Sequence, residues 1–446
     1  MSEIRLGLCE ATIGDVADEP VQQAAPASDF VYVDIGSVDR ETKKISYAKE
    51  CLLAQAPSRA KQVLRAGDVL VSMTRPNLNA VAQVPSELDG AIGSSGFHVL
   101  RSRWVDPGYL FYLVQTERFI DAMCKVVQGA LYPAVRPKDI SAFKFLLPPA
   151  AEQTRIVAKL EELLSDLDAG VAELKAAQKK LAQYRQSLLK AAVEDSGYGN
   201  TAYSKHPLGT LVTAIGQGWS PKCDREPAQE DDQWAVMKTT AIQPLEFDGA
   251  HNKALPVELK PREHLELKPG DLLVTRAGPR NRVGITCLVK KTRSKLILCD
   301  KAYRIQCDQT RISPDFLELV LNAPHMLQKI DELKTGISDS GLNLTQDRFF
   351  SLEIPLPSLQ KQLSIVEAVS TQFKLIQAQE KAIERSLQQS TAQRQNILQA
   401  AFCGQLVPQD PSDEPASVLL ERIRTERAAQ ASAPKVRKAR AVKETK

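Results

Sequence analysis

The amino-acid sequence predicts an α+β protein in which two β-rich globular domains are each followed by a long helix. Three observations lead to this prediction. A helix-like stretch occurs twice, since Gln362 follows Gln153 by 209 positions (362 − 153) and the similarity continues without a gap. Both stretches repeat apolar residues every seven positions, and a Gly-Asp-aliphatic strand pattern occurs in each half of the chain. Self-similarity of this kind indicates a duplicated module.

The first helical stretch, residues 150–195, has the seven-residue spacing of a coiled-coil seam. Its seam residues are Leu160, Leu167, Leu174, Leu181 and Leu188, with a companion series that begins at Ile156. The second stretch, residues 358–407, places Val369, Ile376, Ile383 and Ile397 at equivalent positions, with a mostly polar companion series from Ile365. We expect the two helices to pair, each spanning roughly 60 Å at about 1.5 Å per residue.

Gln153 and Gln362 stand at the two helix starts. Their sequence position allows two interpretations, a capping role at the helix start or a contact with a partner protein. The residues alone do not separate these two roles.

The first globular domain, residues 1–149, is predicted to be rich in strands. Segments 30–35, 68–73 and 96–100 have strand-like composition, and 143–147 forms a last short strand. A helix is predicted to start near Pro107 and to run to about Val126, with Gly129 as its stop.

The second globular domain, residues 196–357, repeats this plan after a predicted linker at 195–200. Gly270 follows Gly67 by 203 positions (270 − 67), and the same offset sets Val236 opposite Val33. A second late helix is predicted from Pro314 through Leu333.

Residues 408–446 form the C-terminal segment. We expect a short helix over about 417–429 and then a basic tail, because residues 435–446 carry six Lys or Arg and one Glu. Such a run is usually a solvated end, and phosphate contact is the alternative.

Composition agrees with an ordinary cytoplasmic globular protein. Of 446 residues, 43% are hydrophobic and 25% are charged, and the formal net charge is +4. The sequence has no run of 18 apolar residues and no signal-peptide pattern at its start. Its eight cysteines include no C-x-x-C pair, so we expect free thiols rather than a zinc site or disulfides.

Motifs for catalysis are missing from the sequence. It contains no phosphate-binding G-x-x-x-x-G-K-[ST] loop, no H-E-x-x-H and no Asn-Pro-Pro-aromatic motif of adenine methyltransferases. Asp315 and Glu318 are expected on the solvated face of a helix. The chain is therefore predicted to be non-catalytic and to depend on partners for chemistry.

Together these residues resemble the DNA-specificity (S) subunits of type I restriction-modification systems. The similarity rests on the doubled arrangement of globular domain and helix and covers nearly the whole chain. It includes Leu147-Pro148-Pro149 with Glu152-Gln153-x-Arg155-Ile156 at the helix start, Leu188-Leu189-Lys190-Ala191-Ala192 at its end, and the C-terminal Leu419-Leu420-Glu421-Arg422-Ile423-Arg424.

The resemblance implies that each globular domain is a target recognition domain reading one half of a bipartite site in double-stranded DNA. It implies that the helices pair antiparallel, set the half-site spacing and dock two methyltransferase (M) subunits, which restriction/translocation (R) subunits join. Adenine methylation and restriction would then use S-adenosylmethionine, ATP and Mg²⁺ held by partner subunits, with no cofactor or metal in this chain. A rigid coil suits two readers on one duplex, because it fixes their separation and helical phase.

Candidate DNA-binding residues lie in loops that follow the predicted strands, since amide and guanidinium groups reach base edges and small polar groups hold phosphates. His98, in an apolar strand, is better explained as a structural histidine, and Tyr132 and Asn343 are weaker candidates. The candidates are Thr74, Arg75, Asn77, Asn79, Ser94, Ser95 and Arg101 in the first domain and Arg276, Gly278, Arg280, Asn281 and Arg282 in the second.

Two other classes of protein stay open on the sequence alone. A non-enzymatic coiled-coil scaffold with two binding heads would explain the helices, and a test of specific duplex binding would exclude it. A fused restriction-methylation enzyme would need the missing motifs, and an activity assay on the isolated chain would detect it.

Overall fold

The computed structural model describes residues 7–18, 21, 23–127, 133–194, 203–223, 226–230 and 232–432. The chain divides into two compact units, here named unit 1 (residues 1–173 with 386–446) and unit 2 (residues 174–385). Each unit thus contains one globular domain and one half of each long helix. Gly129, Tyr132, the predicted linker at 195–200 and the basic tail lie outside the described residues.

Unit 1 is built from short strands and short helices. Its four-stranded sheet has the order Lys49–Cys51, Phe30–Val33, Ile92–Ser94, Ala60–Val63, and its three-stranded sheet the order Phe97–Leu100, Val69–Ser72, Val81–Gln83. Two further pairs are Cys9–Thr12 with Lys144–Leu147 and the hairpin Val38–Asp39 with Lys44–Ile45. The α-helices are Ile13–Val16, Pro107–Leu113, Glu117–Lys125 and Pro137–Ser141, and the 3-10 helices Ile35–Ser37, Leu53–Gln55, Pro76–Leu78 and Ser86–Leu88.

Unit 2 follows the same plan. Its four-stranded sheet has the order Val212–Gln217, Ala302–Cys307, Leu272–Thr275, Thr286–Leu288, and its three-stranded sheet the order Asn252–Ala254, Ala235–Met237, Leu296–Ile297. The pairs are Lys205–Pro207 with Glu353–Pro355, Ala277–Gly278 with Leu342–Asn343, and the hairpin Ile242–Gln243 with Glu246–Phe247. The α-helices are Pro314–Leu321, Pro324–Leu333 and Gln346–Phe350, and the 3-10 helices Leu208–Thr210, Thr239–Ala241 and Glu263–Leu265.

The buried strands Val69–Ser72 and Leu272–Thr275 occupy equivalent positions, 203 residues apart (272 − 69). Successive side chains of a strand point to opposite faces of its sheet. Accordingly Leu70 lies in one hydrophobic core of unit 1 while its neighbours in the strand lie in the other. Leu273 and its neighbours divide in the same way between two cores of unit 2. Apolar contact on both faces explains why these strands read as unbroken apolar runs.

The late helix of each globular domain is interrupted, so the prediction of one continuous helix was wrong in both. In unit 1 a new helix begins at Glu117, because the Thr116 hydroxyl accepts a hydrogen bond from the Phe119 amide (3.3 Å) as an N-cap. In unit 2 the break precedes Pro324, which has no amide hydrogen and therefore fits the first turn of a new helix.

The long helices, here named the first and second spacer helices, are Ala150–Val193 and Leu359–Phe402, each of 44 residues. Their starts and their ends both differ by 209 positions (359 − 150 and 402 − 193), which confirms the offset read from the sequence. In unit 1 Asp168 pairs with Arg394. In unit 2 the Tyr184 hydroxyl donates to the Gln372 side-chain oxygen (3.4 Å). Early residues of one helix meet late residues of the other, so they pair antiparallel.

Burial along the predicted seam is uneven. Ile156, Leu160 and Ile397 are buried in unit 1, and Val369 and Ile376 in unit 2. The half-buried seam residues are Leu167, Leu174, Leu181, Leu188, Ile365 and Ile383. Ile156, Leu160 and Ile397 also pack against the globular core of unit 1, which accounts for the burial of these three seam residues. Leu164, Leu189 and Val193 are buried as well, although they lie outside the heptad series.

Gln153 and Gln362 act as internal clamps, which neither sequence interpretation foresaw. Both side chains are buried, and each donates to the carbonyl of the proline five positions earlier, Pro148 or Pro357. The side-chain oxygen of Gln153 accepts from the Asp106 amide (3.2 Å) and that of Gln362 from the Ser313 amide (2.8 Å). Each clamp therefore joins the start of a spacer helix to the start of the domain's late helix.

The C-terminal helix, Ala416–Ser432, packs into the core of unit 1 through Ala416, Leu419, Leu420 and Ile423. Arg427 donates to the Gly14 and Ala17 carbonyls, and Arg155 of the first spacer helix pairs with Asp413 (2.7 Å). The predicted short helix over 417–429 is thus present and forms an integral part of unit 1.

Candidate nucleic-acid interface

The first candidate loop, residues 74–79, directly follows the buried strand Val69–Ser72. It is anchored at one side, because Thr74 bridges Ala134 and the Arg75 amide donates to the Pro133 carbonyl (2.8 Å). Arg75 has a left-handed backbone (φ 50°), which a non-glycine residue adopts at some cost in strain. The side chains of Arg75 and Asn77 are exposed and have no partner within the described residues. They are available to a ligand.

The neighbouring loop that contains Ser94 and Ser95 borders the first candidate loop. The Met73 amide donates to the Gly96 carbonyl (3.0 Å), which sets Ser95 next to Thr74 in space. Ser94 is buried, and its hydroxyl accepts from the Gly96 amide (3.1 Å), so it shapes the turn. The Ser95 amide donates to the Arg59 carbonyl (2.8 Å), which brings the exposed Arg59 to the same edge.

Arg101 is part of a structural pair that recurs in unit 2. Its guanidinium binds both carboxylate oxygens of the buried Asp68 (2.7 and 2.6 Å) and the Val63 carbonyl (3.1 Å). The hydrogen bond to Asp68 raises the pKa of Arg101. Arg304, 203 positions later, lies 3.6 Å from Asp271 and donates to the Glu266 carbonyl. Because the same contacts occur at the same offset in unit 2, they give Arg101 a structural role that does not require contact with DNA.

Asn79 and His98 are also engaged inside unit 1. Asn79 is buried and donates to the Val114 carbonyl (2.8 Å). His98 is buried 3.4 Å from the Ser141 hydroxyl, and burial lowers the pKa of its imidazole to about 4. A neutral, buried imidazole fits the structural role expected for His98.

The second candidate loop, residues 276–282, is more ordered than a solvated turn. Ala277 and Gly278 pair with Leu342–Asn343, and Gly278 has φ 146°, a conformation that favours glycine. The Arg280 amide donates to the Asp339 carbonyl (2.8 Å). Backbone hydrogen bonds therefore join the loop to residues 339–343.

Each arginine of the second candidate loop already has partners within unit 2. Arg276 donates to the Asp300 carbonyl (3.3 Å) and lies over the Tyr303 ring (5.5 Å). Arg280 pairs with two aspartates (2.7 and 2.9 Å) but stays 48% exposed. Arg282 donates to two backbone carbonyls and one side-chain amide oxygen. The density of arginine that indicated DNA contact therefore also serves to fix the loop.

Two exposed residues complete the polar edge of unit 2. Asn281 has no partner within the described residues. Lys301, which sequence reasoning missed, lies beside Arg276, because the Arg276 amide donates to the Lys301 carbonyl (2.9 Å). Lys301, like Arg59, comes from a distant chain segment, so no local motif could have indicated it.

Glu318 does not lie on a solvated helix face, so that prediction was wrong. Its side chain is buried, and one carboxylate oxygen accepts from the Leu288 amide (2.6 Å). Burial raises the pKa of Glu318 to about 7. The helix Pro314–Leu321 packs on the strand Thr286–Leu288, and the carboxyl satisfies an amide of the segment it covers.

The described residues contain neither a cluster of metal ligands nor a membrane-spanning helix. No group of three or more His, Cys, Asp or Glu side chains in this part of the chain could hold a metal ion. None of its helices is long and apolar enough to cross a membrane.

Comparison with known proteins gives a consistent result. No family model matches the chain. The Type I restriction enzyme EcoEI specificity subunit of Escherichia coli is 40% identical over 38% of this chain and 28% of its own length, so the match spans less than a third of that relative. The StySPI specificity subunit of Salmonella potsdam is 23% identical over 83% of both chains.

A solved structure matches over a longer span. It comes from work on complex assembly and conformational transition of the type I R-M system, and it is 26% identical with a TM-score of 0.75. The match covers 91% of this chain and 100% of the solved chain. With the duplicated domain and helix already described, these matches show that the chain is similar in sequence and in fold to type I restriction enzyme specificity subunits.

Proposed function

We propose that this chain recognises a bipartite DNA sequence, each globular domain reading one half-site through its candidate loop. One observation carries the proposal: equivalent strands, Val69–Ser72 and Leu272–Thr275, end at loops with different polar side chains. A common scaffold that presents different side chains suits two readers of different sequences. The relatives described as specificity subunits support this assignment.

Exposed polar groups at the two loops would make the contacts. In unit 1 these are Arg75, Asn77 and Arg59, with the half-buried Ser95 beside them. In unit 2 they are Asn281 and Lys301. Arginine and asparagine bind base edges in the major groove, and lysine binds phosphates. Arg280, half-exposed in its ion pairs, can add a phosphate contact.

Single substitutions test which domain reads which half-site. We expect Arg75→Ala to weaken discrimination at one half of the recognised motif and Asn281→Ala at the other, each by about 1–3 kcal/mol if the side chain reads a base. Binding would be measured for the chain in complex with methyltransferase subunits, on duplexes altered in one half-site at a time. The matched control is Arg103→Ala, an exposed arginine paired with Asp18 outside the loops.

Exchange of a whole globular domain gives a second test of independence. Replacing the first domain by that of a relative should change one half of the methylated motif and leave the other half unaltered. Because the C-terminal helix packs on the helix Ile13–Val16, the exchanged domain should be accompanied by residues 408–432 of the same relative. A change in both halves, or in neither, would contradict independent reading.

We further propose that the paired spacer helices set the distance between the half-sites. Four residues added after Glu173 and four after Arg385, where the units divide the helices, should lengthen the pair by about 6 Å. At about 3.4 Å per base pair, the preferred gap should grow by about two base pairs. The same insertion after Val257, which is 94% exposed, should leave the gap unchanged.

The chemistry is proposed to reside in partners, namely two methyltransferase subunits and the restriction subunits. S-adenosylmethionine, ATP and Mg²⁺ would be bound by those subunits, since this sequence lacks the corresponding motifs. Adenine methylation should be absent with this chain alone and should appear when methyltransferase subunits are added. Methyl transfer by the isolated chain would refute this division of labour.

A further inference from the structure

A small hairpin lies against each candidate loop. The hairpins are Val38–Asp39 with Lys44–Ile45 in unit 1 and Ile242–Gln243 with Glu246–Phe247 in unit 2. Just before the second strand of each stands a residue with left-handed backbone, Lys43 (φ 56°) or Leu245 (φ 63°). The two hairpins are therefore equivalent parts of the repeated module.

In unit 1 a lysine of the hairpin holds the end of the loop. The Lys43 ammonium donates to the Asn79 carbonyl (2.6 Å) and to its side-chain oxygen (3.0 Å). Asn79 in turn donates to the Val114 carbonyl, and its backbone is left-handed (φ 43°). This cation thus fixes the last residue of the first candidate loop.

In unit 2 an arginine of the loop holds the hairpin. Arg282 donates to the Ile242 carbonyl (2.6 Å), the Thr239 carbonyl (2.8 Å) and the Gln243 side-chain oxygen (3.2 Å). As in unit 1, a cation connects the loop to the hairpin. In unit 2, however, the loop supplies the cation, and the acceptors belong to the hairpin and the segment before it.

Both hairpins also lie next to a spacer helix. Leu245 packs in a cluster with Leu319 of the late helix and Val369 of the second spacer helix. Lys43 lines a cavity together with Asp168 and Arg394 of the two spacer helices. Each hairpin therefore stands between a candidate loop and the spacer helices of its own unit.

We propose that Lys43 and Arg282 are positioning residues, each locking a DNA-reading loop to the hairpin that rests on the spacer helices. The proposal rests on the proposed function and deepens it. It also replaces direct DNA contact as the role of Arg282, because all its acceptors belong to the hairpin and the segment before it.

The two cations differ in their titration, which allows the two locks to be separated. Burial, and then Arg394 and Arg40, lower the pKa of Lys43 to about 8, against the opposing effect of Asp39. Arginine stays charged throughout the accessible pH range. The other charged or titratable groups that line the cavity at Lys43 are Lys44, Tyr112, Glu161 and Asp168.

The experiment measures half-site discrimination at pH 7 and pH 9 with the complete chain bound to methyltransferase subunits. At pH 9, above the pKa of about 8, most of Lys43 should be neutral, and a neutral donor makes a weaker hydrogen bond. We expect discrimination at the half-site read by unit 1 to fall roughly three- to tenfold, and at the other half-site to stay constant.

Variants separate positioning from folding and from direct contact. Lys43→Arg should preserve discrimination at both pH values, and Lys43→Met should lower it at both. Arg282→Met should lower discrimination at the second half-site without altering the salt dependence, whereas loss of a phosphate contact would reduce the slope of log K against log salt by about 0.9. Arg282→Lys should retain part of the discrimination that Arg282→Met loses.

Two results would overturn the proposal. One is wild-type discrimination at both half-sites in Lys43→Met, and the other is a reduced salt slope in Arg282→Met. Absence of any sequence discrimination by the wild-type complex at pH 7 would instead refute the proposed function itself.

Discussion

Units 1 and 2 share their internal contacts and differ in what they expose. Both have a buried glutamine clamp at the start of a spacer helix and an Arg-Asp pair beside the buried strand. The candidate loops differ in sequence and length. The cation that connects loop and hairpin belongs to the hairpin in unit 1 (Lys43) and to the loop in unit 2 (Arg282). Contacts that occur in both units therefore define the scaffold. Loop positions that differ between the units are those at which the two domains can recognise different sequences.

The largest expected effect is on the free energy of unfolding. It compares a seam residue that is buried against a globular core with a seam residue that is only half-buried. Leu160 is fully buried against the core of unit 1, whereas Leu174 is only half-buried. A charge at the first position would be desolvated without a partner, so Leu160→Asp should lower the free energy of unfolding by about 4 kcal/mol or more. Leu174→Asp should lower it by about 1–2 kcal/mol, because water still reaches the side chain.

Urea unfolding of both variants tests this pair. From the heptad pattern alone, Leu174→Asp is expected to cost several kcal/mol, on the order of a fully buried site. Equal losses in the two variants would mean that the middle of the seam is as well covered as its ends.

The second prediction compares the clamps. Gln362 makes three hydrogen bonds and Gln153 makes two. Replacement by leucine leaves buried backbone groups unpaired, at about 1–3 kcal/mol for each site or more where several groups are affected. We expect a loss of stability of about 4 kcal/mol for Gln362→Leu and about 3 kcal/mol for Gln153→Leu.

The exposed Gln379 of the second spacer helix provides the control for the clamps. Gln379→Leu should change stability by less than about 0.5 kcal/mol. If the clamp variants matched this control, the buried amides would not join the spacer helices to the globular domains.

The sequence predicted the repeated parts of this fold better than its unrepeated contacts. Periodicity and offset located the spacer helices within a few residues, because those features are local and occur twice. The partners of Arg282 and Lys43 are set by chain segments 36 to 43 positions away, which no local pattern records. The interruption at Pro324 did carry a local signal, which the apolar periodicity of the late helix obscured.

The candidate site shows the same limit. An exposed turn rich in arginine has the composition of a DNA-contacting loop, but composition does not tell whether a guanidinium faces solvent or a carbonyl of its own chain. Arg75 and Arg282 are indistinguishable on that basis, yet one is free within the described residues and the other has three acceptors.

The third prediction uses a position where the units differ in charge. Glu318 corresponds to Phe111 of unit 1, 207 positions earlier, as Pro314 corresponds to Pro107. Because burial raises the pKa of Glu318 from 4.5 to about 7, the folded chain binds a proton more tightly than the unfolded chain. Its contribution to stability is therefore full below about pH 4.5 and is lost as pH rises through about 7.

Glu318→Gln should remove this pH dependence while keeping an acceptor for the Leu288 amide. The stability of the variant relative to wild type should increase from pH 5 to pH 8 by on the order of 3 kcal/mol and then level off. Urea unfolding at several pH values measures the difference. A difference that does not vary with pH would show that Glu318 has the same pKa in the folded and unfolded chains.

The smallest expected effect concerns the second candidate loop, where Arg280 pairs with two aspartates and is proposed to contact DNA as well. Asp339, 80% exposed, pairs with Arg280 on the loop side. Asp339→Asn removes one negative charge and releases part of the guanidinium, so DNA binding should tighten by roughly two- to fivefold at low salt, and the gain should fade as salt screens the charges. The control Glu258→Gln makes the same charge change at an exposed position outside the loop and should have a smaller effect. Weaker binding by Asp339→Asn would instead mean that the ion pair maintains the loop shape that DNA requires, which would give Arg280 the positioning role that we propose for Arg282.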